Sequence, residues 1–328
     1  MLRRGLLKSM AALATGGGLL AVGKEDRLGA GNPLAGPKDR PRVRQFIECV
    51  DGTNLFFRDW GTGRALVFLA PWTMNSAWWE YQIADLSARS VRCVAYDRRG
   101  HGRSDEPTHG YEFDTLADDL QTVLERLDLR EVTLVGQSMA CGEIVRYLSR
   151  HGSGRVARIV LVATITPFLL KTDDNPDGTD RAALENVRKV LSKERPHPIA
   201  AAAPAFFGAP KNNVSQEVMD WWVRMIVDGC SLKVMLDLHK MYTETDFRPE
   251  LRKISVPTLL VHGDNDTSTP LETTARKTVP LITGCQLKVY EGAAHGLPFT
   301  HADRLNADLL AFREQLIARH STSALLVP

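Results

Sequence analysis

Gly136-Gln137-Ser138-Met139-Ala140 follows directly on the β-branched run Val132-Thr133-Leu134-Val135, and an apolar stripe leaves it at Cys141, Ile144, Val145 and Leu148. Steps of three and four residues mark one face of a helix, so the pentapeptide is predicted at a strand-to-helix turn. A serine on such a turn is strained and exposes its hydroxyl, and the helix N-terminus beneath it favours negative charge. Ser138 is therefore a candidate nucleophile. Small residues on either side let the strand and helix backbones approach closely. The second glycine of G-x-S-x-G is here Ala140, and the pentapeptide alone leaves a purely structural serine open.

Working outward, Ala65 to Ala70, Val91 to Tyr96, Val132 to Val135, Ile159 to Ala163, Val256 to His262 and Gln286 to Tyr290 are continuous apolar runs, as in strands buried on both faces. Helical periodicity separates several of them. Leu116, Leu120, Val123, Leu124 and Leu127 share one face, and Leu305, Leu309, Phe312 and Leu316 another. The alternation predicts a parallel α/β sheet covered on both sides. Ahead of it, Arg44 to Val50 and Leu55 to Trp60 flank Asp51-Gly52 and read as a hairpin. The strand pattern stops between residues 164 and 250, where Val218, Trp221, Trp222, Met225 and Ile226 take helical spacing. That interval is expected to be a helical cap inserted into a core of residues 43–163 and 251–320, with a tail at 321–328.

Composition narrows the class of partner. The chain has 328 residues, 44% of them hydrophobic, and a net charge of +2 from dispersed acids and bases, so nothing in its electrostatics points to nucleic acid. Its five cysteines, Cys49, Cys93, Cys141, Cys230 and Cys285, form no C-x-x-C pair, which speaks against a zinc site or a disulfide scaffold. No H-E-x-x-H, P-loop or strand-borne G-x-G-x-x-G is present. Residues 1–23 differ in kind. Arg3-Arg4 and Lys8 precede an apolar, glycine-rich run from Met10 to Val22, which is expected to be a twin-arginine-like export signal placing the protein in the periplasm, with a disordered cytoplasmic extension as the alternative. It is too short for a comfortable membrane span. Residues 24–42 mix Gly, Pro and charge like a flexible spacer.

Two late loops carry the remaining chemistry, Gly263-Asp264-Asn265-Asp266 and Gly292-Ala293-Ala294-His295-Gly296. Each follows a predicted strand, and open α/β sheets gather ligands at the carboxyl edge of their strands. Ser138, one of the two aspartates and His295 can therefore meet, in the order nucleophile, acid, histidine. Spacing does not choose between Asp264 and Asp266.

From about Phe46 to Glu314 the chain resembles the α/β-hydrolase superfamily, in particular the arylesterase and cofactor-free haloperoxidase (perhydrolase) group. The segments that carry the resemblance are Trp79-Glu80-Tyr81-Gln82, Tyr96 to Asp105, Val135 to Met139, Pro167 to Gly178 and Ala294-His295-Gly296. The resemblance implies a mostly parallel eight-stranded sheet flanked by helices, a triad of Ser138, Asp266 and His295, and no metal or organic cofactor. It further implies an oxyanion hole made by the backbone amides of Trp72 and Met139. One departure stands out: where the family has His-Gly-Trp-Pro, this chain has Ala70-Pro71-Trp72-Thr73. Arg98, Arg99 and His101 match a structural turn of the family.

The expected activity is hydrolysis of a carboxylic ester, with aryl or short-chain esters and lactones as candidate small-molecule substrates. Peracid formation from hydrogen peroxide on the same triad is the alternative, and a silent hydrolase fold used for binding is a third reading. The serine at the elbow argues against dehalogenase or epoxide hydrolase chemistry, which needs an aspartate nucleophile. Phe168, Phe206, Trp221, Trp222 and Leu297 are expected to line an apolar pocket.

Overall fold

A computed structural model describes residues 45–323, with side chains to residue 315. The expected signal and spacer lie outside the described residues. In β3 (Ala65–Leu69), β5 (Val132–Gln137) and β7 (Thr258–Gly263) every residue is buried, as strands covered on both faces require. With β1 (Phe46–Glu48), β2 (Asn54–Trp60), β4 (Arg92–Tyr96), β6 (Val156–Val162) and β8 (Gln286–Tyr290) they form one sheet of eight strands in the order β1-β2-β4-β3-β5-β6-β7-β8. Only β2 runs against the others, pairing antiparallel with both β1 and β4. Strands β4, β3, β5, β6, β7 and β8 are parallel in sequence, so their carboxyl ends share one edge.

Helices α1 (Glu80–Ala88), α2 (Phe113–Arg126) and α3 (Met139–His151) connect successive strands. The face of α2 read from sequence is the one it buries, through Phe113, Leu116, Ala117, Leu120, Val123 and Leu124. Basic Arg150 and His151 in the last turn of α3, and Gly152 at φ +72° after it, end that helix in the manner expected of a C-terminus. Between β6 and β7 lie α4 (Arg181–Lys193), α5 (Pro196–Phe207), α6 (Gln216–Gly229), α7 (Leu232–Glu244) and the short α8 (Arg248–Leu251). Ser215 and Ser231 start α6 and α7 by accepting hydrogen bonds from Val218 N and Val234 N. After β7 come α9 (Ala275–Thr278) and, after β8, α10 (Leu297–Thr300) and α11 (Ala302–Ser323). Helix α11 runs three residues beyond 320, where the sequence pattern had placed the start of a tail. Among the described residues, no helix is long and apolar enough to cross a membrane.

The paired arginines of the turn after β4 are structural. Arg98 Nε donates to Glu143 on α3 at 2.6 Å and Arg98 Nη2 to the Ala70 carbonyl at 2.7 Å. Arg99 donates twice to Asp119 on α2, at 2.6 and 2.7 Å. All four side chains are buried, so each charge depends on its partner, and loss of one partner would strand the other. The Arg98 contact also ties this turn to the loop that follows β3.

Candidate active site

Ser138 sits between β5 and α3 with φ +57° and ψ −120°, a conformation a non-glycine residue holds only under tertiary constraint. The constraint is visible on both sides. Ser138 N donates to the Val162 carbonyl of β6 at 2.9 Å, and Cys141 N closes the first turn of α3 onto the Ser138 carbonyl at 3.0 Å. Gly136 is required by the close approach of helix to strand. A Cβ there would lie 2.7 Å from Ile144 Cδ1 and 2.9 Å from the Ala140 carbonyl oxygen. Ala140 itself is accommodated and fully buried, so the departure from a second glycine leaves the turn intact.

The loop after β7 chooses between the two aspartates. Asp264 Oδ1 accepts from Gly292 N at 2.6 Å and so fastens the β7 loop to the β8 loop. Asp266 turns inward. Its Oδ1 accepts from Ser268 N and Thr269 N, both at 2.9 Å, and its Oδ2 lies 2.7 Å from His295 Nδ1. Thr269 Oγ1 donates to the same Oδ2 at 3.0 Å. Burial works to raise the Asp266 carboxyl, but the His295 ring, His262 and these hydrogen bonds hold it below the ordinary carboxylate value. Ionised Asp266 accepts from Nδ1–H of His295, which fixes a proton on that nitrogen and leaves Nε2 as the other ring nitrogen.

Two clamps hold the histidine loop at the end of β5. Gln137 Nε2 donates to the His295 carbonyl at 2.7 Å, while Trp78 Nε1 holds Gln137 Oε1 at 2.5 Å. Gly296 N donates to the Phe206 carbonyl at the end of α5, at 2.7 Å. The β7 end also presses on this loop: a Cβ at Gly263 would fall 2.0 Å from the Ala293 carbonyl oxygen, so only glycine fits. Gln137 and Thr269 were not singled out by the sequence reading. A buried polar residue at a strand terminus carries no periodicity, although adjacency to Ser138 was a signal for Gln137.

Ser138 and His295 line one cavity of about 740 Å³, together with Trp72 of the β3 loop. The Ser138 hydroxyl and His295 Nε2 make no hydrogen bond among the described residues, and such contacts commonly close only around substrate. Met139 N is the first amide of α3, with no carbonyl one turn back to receive it. Trp72 N likewise donates to no acceptor among the described residues. The indole of Trp72 is anchored away from its backbone, by donation to the Met235 carbonyl of α7 at 3.0 Å.

Of the apolar residues expected at the pocket, Phe168, Phe206 and Trp222 line the cavity. Trp221 and Leu297 do not. Trp221 lies one step round α6 from Trp222 and stacks on Trp78 with ring centroids 6.2 Å apart. Leu297 opens α10 and is fully buried in the core. Among the described residues, no cluster of His, Cys, Asp and Glu side chains could hold a metal ion.

A family model described as the alpha/beta hydrolase fold matches residues 64–302. Over 272 residues the chain is 39% identical to a non-heme haloperoxidase of Rhodococcus erythropolis, covering 82% of this chain and 99% of that one. It is 35% identical over 273 residues to a bifunctional esterase/perhydrolase of Acinetobacter calcoaceticus, covering 81% and 98%. Among solved structures, the bromoperoxidase from Bacillus anthracis superposes with a TM-score of 0.79 at 34% identity, covering 82% of this chain and 99% of that chain. An esterase from Exiguobacterium antarcticum gives 0.78 at 29% identity, covering 82% and 98%. The match extends over most of the chain and the sheet order is the one described above, so this protein belongs to the α/β-hydrolase family and is an enzyme of hydrolase type.

Proposed function

We propose that the protein hydrolyses carboxylic esters through an acyl-enzyme on Ser138. The observation that carries this reading is the 2.7 Å contact of Asp266 Oδ2 with His295 Nδ1, on a ring that shares its cavity with the strained Ser138. With its proton fixed on Nδ1, His295 takes the hydroxyl proton at Nε2 as Ser138 Oγ attacks the ester carbonyl. The amides of Trp72 and Met139 then receive the oxyanion, in a site that needs no reorganisation as charge develops. His295 passes the proton to the leaving alcohol, and water, activated the same way, releases the acid.

Peracid formation, in which hydrogen peroxide replaces water at the acyl-enzyme, is the second reading. Relatives named haloperoxidase and esterase/perhydrolase favour it. Thr73 ranks it second. Its φ of +65° is closed to proline, whose ring holds φ near −65°, so this loop does not take the backbone that a proline at this position would impose. Both readings require Ser138. Purified protein given a short aryl ester, and separately acetate with hydrogen peroxide, is expected to favour ester hydrolysis, with Ser138→Ala inactive in both assays and unlabelled by a fluorophosphonate. Full activity in Ser138→Ala would overturn the mechanism, and dominant peracid formation would reverse the order.

We further propose export through the basic and apolar segment at residues 1–23. Fusion of residues 1–42 to a reporter, with and without Arg3→Lys and Arg4→Lys, tests it by the compartment in which the reporter accumulates.

A further inference from the structure

The cavity above Ser138 is apolar over most of its wall, yet one side of it is polar without being charged. His239, in the middle of α7, is 4% exposed and lines the cavity with Tyr242. Its Nδ1 lies 3.4 Å from Arg188 Nη1. A guanidinium has no acceptor, so Nδ1 accepts and the ring proton must sit on Nε2. Nε2–H has no acceptor among the described residues. It is not among the buried polar atoms sealed without a partner, so this donor opens on the cavity, where an acceptor on a substrate can meet it.

The surrounding charges say what that something is. Burial, then the neighbouring Arg188, lowers the His239 pKa to about 4, so the ring is neutral at ordinary pH. Arg188 is itself paired with Glu244 at 3.2 Å, and Glu244 also meets Arg181 at 3.3 Å. The surplus positive charge of this trio falls on the half-exposed Arg181, and neither guanidinium lines the cavity, so no cation is presented there to a carboxylate. The His239 and Tyr242 rings lie 5.3 and 5.7 Å from the indole of Trp72, so the donor lies beside that side chain, which is anchored away from the backbone amide proposed for the oxyanion.

We propose that the preferred substrate is an ester bearing a second, uncharged hydrogen-bond acceptor, such as a ketone or ether oxygen, remote from the scissile carbonyl, and that His239 Nε2–H receives it. This rests on the reading of Ser138 as acyl carrier. A methylene replaced by a carbonyl is normally penalised in an apolar pocket, because the new oxygen loses its water. The donor on α7 reverses that penalty.

The test uses the mature enzyme and isosteric probes. 4-Nitrophenyl heptanoate is compared with its 4-, 5- and 6-oxo analogues, and heptyl acetate with the corresponding oxo-alcohol acetates. At one oxo position or more, kcat/KM is expected to exceed that of the plain ester by about five- to tenfold, the scale of one net hydrogen bond. His239→Phe should abolish that preference while retaining hydrolysis of the plain ester. His239→Gln, which keeps a donor near the Nε2 position, should restore part of it. If the plain ester is preferred at every oxo position on both sides of the linkage, or a probe ending in carboxylate outruns the ketones, the proposal fails. The wild-type comparison decides it even where His239→Phe does not fold. Activity on all probes without discrimination sinks this inference alone, whereas activity surviving Ser138→Ala sinks the mechanism beneath it.

Discussion

The carboxyl rim of the sheet and the helices between β6 and β7 meet in one cavity but are built on different physics. At the rim, each group in the proposed chemistry is fixed within a few residues of a strand end. Ser138 is held by the β6 carbonyl, Asp266 by two amides of its own loop, and the His295 loop by Gln137. The helical segment supplies wall rather than reacting groups. Its α4 lines the cavity with Leu184, Val187, Val190 and Leu191, and two of these, Val187 and Val190, are 42% exposed. Preorganised polar geometry belongs to the rim and adaptable apolar surface to the helices. The reaction type should therefore be insensitive to changes in α4–α7, and the choice of substrate insensitive to most changes at the rim.

The sharpest way to break this division is to test whether the rim acts as one unit. His295→Ala is expected to lower kcat for an aryl ester on the order of 10⁶-fold, and Ser138→Ala to do the same. The double variant should be no worse than either alone, because the proton acceptor is useless without the nucleophile. Steady-state rates with active-site titration check this. Multiplicative losses would mean that the two side chains act separately. Asp266→Asn follows, at about 10⁴-fold. The amide no longer fixes the proton of His295 on Nδ1, whereas the Ser268 and Thr269 amides still have an oxygen to bind, so the fold should survive, with thermal stability lowered because the folded site favours the ionised carboxylate.

How much of this was legible in the sequence follows the same division. The run Ala65 to Ala70 was read over the full extent of β3, because burial on both faces leaves an unbroken apolar signature, whereas the edge strand β8 exposes Gln286 and is only half-buried from Leu287 to Val289. The positions of Ser138 and His295 were legible because a strand-to-helix turn and a terminal loop are local features. The choice of Asp266 over Asp264 came only through family resemblance. In physical terms it depends on which carboxylate accepts from Ser268 and Thr269 and which from Gly292, a tertiary fact absent from spacing. The wall was harder to read. Trp221 and Trp222 are equally apolar, and a rotation of about 100° between consecutive helix positions sends one toward Trp78 and the other to the cavity. His239 gave no signal at all, since one histidine in an amphipathic helix reads as ordinary surface.

Acid sharpens the contrast in stability through a buried histidine of each region, His101 at the rim and His239 on α7, with His262 at the end of β7 lowered by burial in the same direction. His101, in the turn after β4, donates from Nδ1 to the Arg99 carbonyl at 2.9 Å. Burial, then Arg98, lowers its pKa to about 3, and His239 is lowered to about 4. Both folded values lie below the unfolded value near 6.5, so from pH 6.5 down to about 4 the unfolded chain binds more protons. Stability is therefore fully present above pH 6.5 and falls as pH drops through that window, by on the order of 3 kcal/mol for each ring. Asp266, also lowered, adds to the loss only below the ordinary carboxylate range. Urea midpoints between pH 7.5 and 4.5 should decline accordingly, and His239→Phe should flatten the part that belongs to α7. Midpoints that do not move with pH would show that neither ring is held neutral.

The smallest effect is expected where the wall meets solvent. Val190 touches the cavity yet keeps 42% of its surface exposed, so a substrate chain that reaches α4 covers part of the remainder. If the chain covers about half of that surface, the apolar area is close to that of a single methylene, about 0.8 kcal/mol. Val190→Glu places a hydrated carboxylate on that surface and withdraws the gain. We expect kcat/KM to fall about fourfold for an octanoate ester and to stay within twofold for an acetate. Stability should change by less than about 0.5 kcal/mol, because the position makes little contact with the core. Chain-length profiles of the two proteins decide the matter. Equal losses on acetate and octanoate would mean that α4 reaches the reacting groups, and the division between rim and wall would not hold.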